Sequence, residues 1–211
     1  MIEVRNLGKK YGDFVALKGV DFSVDSGEVF SLLGSNGAGK TTIIKIITGL
    51  LKSSSGTALI DEKEVNSSTE IKQDFGYMPE EPHLYDRLTG REFLTMMGSL
   101  RGLKRERLDE KIKILSENLE LTRMLDSEMG AYSKGMKQKV LYANAVIHDP
   151  PNLILDEPTT GLDPRFTRYI KDEIKEFAKD GKTVLMSTHI TSVAADVSEK
   201  VGIINHGEII L

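Results

Sequence analysis

A single stretch near the start limits the possible folds of this chain more than any other. The apolar run Glu28–Leu33 passes straight into Gly34-Ser35-Asn36-Gly37-Ala38-Gly39-Lys40-Thr41, and Thr41–Leu51 behind it has the length and apolar face of a helix. Two glycines five residues apart, then Lys and Thr, between a strand and a helix, form the pattern of a phosphate-binding loop. Each residue type has a physical task there. Glycines let backbone N–H groups curl around an anion, and the helix N-terminus adds partial positive charge. Lys40 can reach the outer phosphates of a nucleotide, and the Thr41 hydroxyl can ligate Mg²⁺. Gly34, Ser35, Asn36, Gly37, Ala38, Gly39, Lys40, Thr41 and Thr42 are therefore candidate phosphate contacts, Thr41 being a metal candidate as well. Such a loop joins a buried parallel strand to a helix, which commits the chain to an α/β core.

The remaining pattern agrees. The chain has 211 residues, roughly 1.4 domains of ordinary size, so one core with a sizeable insertion is expected. Before the loop, Ile2–Leu7, Val15–Leu17 and Val20–Val24 read as strands, with turns at Gly12-Asp13 and Asp25-Ser26-Gly27. Ser53–Gly56 stops the first helix, and Gly56–Ile60 and Phe75–Met78 are further strands. From Leu88 to His148 the spacing turns helical, with helices expected over Thr89–Leu100, Glu106–Leu119 and Ser133–Ile147. Strand and helix then alternate through Leu153–Leu155, Pro164–Lys179, Thr183–Ser187, Ser192–Lys200 and Val201–Ile204, with a last strand after Gly207. This predicts a parallel sheet flanked by helices, an N-terminal antiparallel β lobe and a helical insertion around residues 85–150.

Composition removes whole classes. There is no cysteine, so disulfide frameworks, thiolate zinc sites and cysteine nucleophiles are excluded. Twenty-eight Lys and Arg against 32 Asp and Glu give a net charge of −4, without the basic footprint of a nucleic-acid binder. No apolar run approaches the ~20 residues of a membrane-spanning helix. Met1–Lys10 carries charge and no apolar signal core. The expectation is a soluble, cytoplasmic chain.

Leu153-Ile154-Leu155-Asp156-Glu157 is an apolar strand ending in two carboxylates. On a buried parallel strand, charges belong at the carboxyl end, where such folds place their ligands. Asp156 can hold the Mg²⁺ that the phosphate loop calls for, and Glu157 is placed to polarise a water as general base.

With these residues the chain resembles the ATP-binding subunit of ABC (ATP-binding cassette) transporters over nearly its whole length. The resemblance implies a P-loop NTPase fold in a single ABC ATPase domain over 1–211. Residues 1–84 and 151–211 would form the RecA-like core with the β lobe, and residues 85–150 a helical subdomain. It implies ATP and Mg²⁺ as ligands, with Tyr11 stacking on adenine. Ser133-Lys134-Gly135-Met136-Lys137-Gln138 resembles the family's signature motif, whose Ser133 and Gly135 would reach nucleotide on another subunit. Thr160-Gly161-Leu162-Asp163 resembles the loop linking two halves of a dimer, and His189 the switch histidine beside the γ-phosphate. The implied partners are a second ATPase subunit, identical or not, and a transmembrane permease that holds the chain at the inner membrane face. Leu84, Tyr85 and Phe93 are expected to line the permease contact, and at least one of Met96 and Met97 to be core.

Two departures stand out. Glu80 replaces the family's usual glutamine after Tyr77-Met78-Pro79; a carboxylate can approach a metal but cannot donate as an amide does. Lys134 and Met136 replace Gly and Gln in the signature. The form Tyr132-Ser133-Lys134-Gly135-Met136-Lys137-Gln138 resembles the ABC-2, exporter-type branch. A DNA-repair head would need long coiled-coil heptads between Lys40 and Asp156, and none occur. A translation-associated protein would carry two cassettes in one chain. A P-loop small-molecule kinase would not predict Ser133-Lys134-Gly135 or His189. The basic run Arg101, Lys104, Arg105, Arg107 reads as a solvated face.

Overall fold

A computed structural model describes residues 1–66 and 70–210. Two sheets share the chain. The first is antiparallel, in the order β2-β1-β4-β5, from β1 (Ile2–Tyr11), β2 (Phe14–Val24), β4 (Ser55–Ile60) and β5 (Lys63–Glu64). The second runs β10-β9-β3-β8-β7-β6, from β3 (Val29–Leu33), β6 (Phe75–Met78), β7 (Asn152–Asp156), β8 (Thr183–Thr188), β9 (Lys200–Asn205) and β10 (Glu208–Ile209). It is parallel except for the edge pair β9–β10. Helices α1 (Lys40–Ile47), α2 (Gly90–Leu100), α3 (Arg105–Asn118), α4 (Lys134–Val146), α5 (Pro164–Lys179) and α6 (Thr191–Val197) complete it. The expected α/β fold, with its antiparallel lobe and helical stretch, is what the chain adopts.

Side chains of the parallel sheet alternate between two apolar clusters, because successive residues on a strand point to opposite faces. Leu153 and Leu155 of β7 and Val184 and Met186 of β8 join the cluster of α2 to α6. Ile154 and Leu185 join the other, with Ile43 and Ile47 of α1 and Leu7 and Leu17 of the lobe. Every residue of β7 and β8 is buried, which explains their nearly unbroken apolar runs.

Several boundaries differ from expectation for identifiable reasons. Where three short strands were expected before the loop, two long ones occur, because Gly19 (φ 80°) is absorbed as a bulge instead of ending β2. The first helix ends at Ile47 rather than Leu51. Gly49 turns left-handed there (φ 69°), and the Leu50 and Leu51 N–H groups fold back onto the Lys45 carbonyl. The helix expected over Ser192–Lys200 stops at Val197, and Lys200 already belongs to β9. Among the described residues no helix is long and apolar enough to cross a membrane.

Candidate functional site

The site lies where the phosphate loop meets the carboxyl ends of β3, β7 and β8. Gly39 holds φ 119°, which a side-chain residue rarely adopts, and it directly precedes α1. A Cβ on Gly34 would fall 2.5 Å from the Ile204 carbonyl oxygen, so only glycine lets the loop pass β9. Lys40 folds back into the loop, its Nζ donating to the carbonyls of Gly34 at 2.7 Å and Ser35 at 3.2 Å. Its other neighbour is Glu157 Oε1 at 3.3 Å, with the two side chains only 5% and 3% exposed.

Parallel pairing of β7 with β8 puts Asp156 opposite Ser187. The Ser187 hydroxyl donates to Asp156 Oδ1 at 2.5 Å and accepts from the Glu157 N–H at 3.0 Å. Thr41 Oγ1 stands 3.5 Å from the same Oδ1. Burial raises the Asp156 carboxyl above the usual aspartate range, opposed by the Ser187 and Thr41 hydroxyls. Its second oxygen, Oδ2, is buried with no hydrogen-bond partner. An orphaned carboxylate oxygen next to a threonine hydroxyl suits an oxygen-seeking cation such as Mg²⁺. Among the described residues no three His, Asp or Glu side chains gather into a metal cage. Any cation here would draw its remaining oxygens from phosphate and water, as Mg²⁺ usually does. Glu80 is exposed; burial first, then the charges of Asp156 and Glu157, raise its carboxyl.

Glu157 takes φ 50° at the turn leaving β7. Its Oε2 accepts from the Thr160 hydroxyl at 3.2 Å and lies 3.0 Å from His189 Nδ1. A carboxylate in contact with Nδ1 requires the proton on that nitrogen.

A cleft of about 360 Å³ opens over the loop, lined by Ser35, Asn36, Gly37, Gly39, Lys40, Thr41 and Thr42 together with Tyr11, Glu80 and Glu157. That volume is in the range of small-molecule sites. Gly34 and Ala38 do not line it: Ala38 is buried, and the Gly34 carbonyl accepts from Lys40 Nζ. Tyr11 is 49% exposed, with Lys9 Nζ 5.1 Å from its ring centre. Asp156 opens instead on an adjoining cleft with Thr41 and Glu80. Ser133 and Gly135 do not line either cleft; Ser133 caps α4 by accepting from the Met136 N–H at 3.3 Å.

Sequence reasoning assigned no partner to Ser187 or to the Thr160 hydroxyl. The available signal was a polar residue near the carboxyl end of an apolar strand, which marks a ligand-facing position. Phe14 and Ala16 beside Tyr11 were also passed over. Of the expected permease contacts, Phe93 is buried in the core and Leu84 packs against it, while Tyr85 is 62% exposed. Of the methionine pair, Met97 is partly buried and packs against the core, while Met96 is exposed. The basic run is not uniformly solvated, since Arg101 turns inward and donates to the Phe75 carbonyl at 3.1 Å.

A family model described as ABC transporter matches residues 17–160. The ABC transporter ATP-binding protein NatA of Bacillus subtilis is 36% identical, aligned over 100% of this chain and 88% of its own length. The Nod factor export ATP-binding protein I of Burkholderia lata is 35% identical over 98% of this chain and 68% of its own. Among solved structures, a dimeric post-hydrolysis state of the ATP-binding cassette MJ0796 with ADP and Pi superposes with a TM-score of 0.91. It is 28% identical and covers 100% of this chain and 97% of that one. With a family model over residues 17–160 and a relative 36% identical over the full length of this chain, the chain belongs to the ABC transporter family, as one of its ATP-binding and ATP-hydrolysing subunits.

Proposed function

We propose that this subunit closes on a second ATPase subunit around ATP and thereby drives a separate membrane permease in the export direction. Glu157 carries the reading, because a carboxylate 3% exposed lies within 3.3 Å of both Lys40 and His189 at the carboxyl edge of the sheet. ATP would lie with adenine on Tyr11 and its phosphates in the N–H groups of residues 34–42. Lys40 would draw on the outer phosphates, and Thr41 and Asp156, with Glu80 nearby, would hold Mg²⁺. When bound, the cation would supply positive charge against the phosphates. Glu157 takes a proton from the attacking water as its oxygen bonds to the γ-phosphorus and the bond to the bridging oxygen breaks. His189 stands beside the departing phosphoryl group.

Ser133 and Gly135 lie outside this chain's own clefts, which supports their acting on nucleotide held by the other subunit. A helix N-terminus and a hydroxyl would then neutralise phosphate charge only in the closed pair, and ATP would favour closure by that differential binding. Asp163 would position the facing subunit. The permease would hold the pair at the cytoplasmic face of the membrane. The exporter reading is supported by the Tyr132–Gln138 signature and by the Nod factor export relative.

Glu157→Gln tests the chemistry without knowledge of the cargo. Turnover should fall about 10²- to 10⁴-fold, while ATP binding persists and an ATP-bound dimer accumulates on size-exclusion chromatography. Ordinary turnover in that variant would remove Glu157 from the role of base. Lys40→Ala should weaken nucleotide binding itself.

A further inference from the structure

The loop leaving β7 does more than connect it to α5. Glu157-Pro158-Thr159-Thr160 is a tight turn, closed by the Thr160 N–H donating to the Glu157 carbonyl at 3.1 Å. Proline presets the backbone for the second position of such a turn. Residues first and last in the turn face one another, and the Thr160 hydroxyl donates to Glu157 Oε2 at 3.2 Å. His189 Nδ1 stands 3.0 Å from that same oxygen. The other oxygen, Oε1, faces Lys40 and has no hydrogen-bond partner.

From this asymmetry we infer that Thr160 is a positioning residue for Glu157. Its hydroxyl and His189 occupy Oε2, fix the rotation of the carboxylate, and leave Oε1 as the oxygen presented toward the phosphate loop. A carboxylate accepts on both oxygens; without Thr160, only His189 on Oε2 and the longer Lys40 contact on Oε1 would hold the group, and it would be freer to turn about its last torsion. Three residues further on, Asp163 caps α5 by accepting from the Phe166 N–H at 2.9 Å. This inference rests on the reading of Glu157 as the general base.

Thr160→Val keeps the branched shape and removes only the donor. Steady-state ATPase assays on the purified subunit with ATP and Mg²⁺ should show kcat reduced about tenfold, the order that a small misplacement of a reacting group costs. KM for ATP should stay within about twofold, because Thr160 does not line the nucleotide cleft. Thr160→Ser restores the hydroxyl and should recover most of the rate, and Thr160→Val added to Glu157→Gln should cause no further loss. A parental kcat in Thr160→Val would overturn the inference, as would equal losses in the Val and Ser variants accompanied by a raised KM. Full turnover in Glu157→Gln alone would refute the general-base reading itself, and the inference with it; an inactive Glu157→Gln beside a fully active Thr160→Val would refute only the role given to Thr160.

Discussion

Glu157 shows how a single residue can be held in an unfavourable conformation by its neighbours. A left-handed backbone at a non-glycine residue costs on the order of 1 kcal/mol or more. The Ser187 hydroxyl accepting its N–H and the turn to Thr160 hold it in place. His148 is a second residue whose neighbours set its state. Burial first, then the positive charge of Arg101, lower its imidazole from 6.5 to about 4, and its Nε2 lies 3.1 Å from the Phe75 carbonyl. The neutral ring can donate that proton. The unfolded chain binds the extra proton below 6.5 and the folded chain does not until about 4, so the stability from His148 is present above 6.5 and is lost as pH falls between these values. Thermal melts across this window should therefore fall less steeply for His148→Gln, whose amide can still donate to Phe75, than for the parent. Identical slopes would mean that His148 is protonated in the folded protein.

At the scale of elements, short polar signals decide where helices begin. Thr89 and Glu92 form a reciprocal capping box at α2, Ser133 caps α4, and Asp163 followed by Pro164 starts α5. Neither Thr89 nor Glu92 lines the clefts at the phosphate loop, so the α2 cap can be tested as a pure stability element. Thr89→Ala should cost about 1 kcal/mol and lower Tm by about 2–4 °C, with ATPase activity per folded molecule retained. A Tm equal to the parent's would show that the cap is replaced by water. These helix starts were visible in the chain; the ends at Ile47 and Val197 were not, because apolar spacing continues past the point where the backbone turns away.

For the whole molecule, what matters is how the helical stretch is tied to the core. Gln138 of α4 donates to the Glu80 carbonyl at 2.6 Å, and Lys137 pairs with Asp86 at 2.9 Å. The helix capped by Ser133 is thus bonded to the segment following β6, whose Glu80 lines the cleft over the phosphate loop. If the working unit is a head-to-tail pair, inactive variants should complement each other. Lys40→Ala and Ser133→Arg should each abolish turnover alone. Mixed in equal amounts, random pairing would leave one intact composite site in half of the dimers, restoring about a quarter of the parental rate. Absence of recovery would mean that each chain completes its own site.

Read alone, the chain revealed the phosphate loop, the two acidic residues closing β7, the histidine following β8 and the α/β order, because each is written in consecutive residues with a period or spacing of its own. Tertiary structure alone decided which of them touch. Asp156 meets Ser187 across 31 positions because β7 lies beside β8 in register, and Lys40 reaches Glu157 because β3 lies on the other side of β8. The bulge at Gly19 and the burial of Phe93 were likewise settled by packing. Strand order and register bring distant residues together, and neither is encoded in the local periodicity from which a sequence is read.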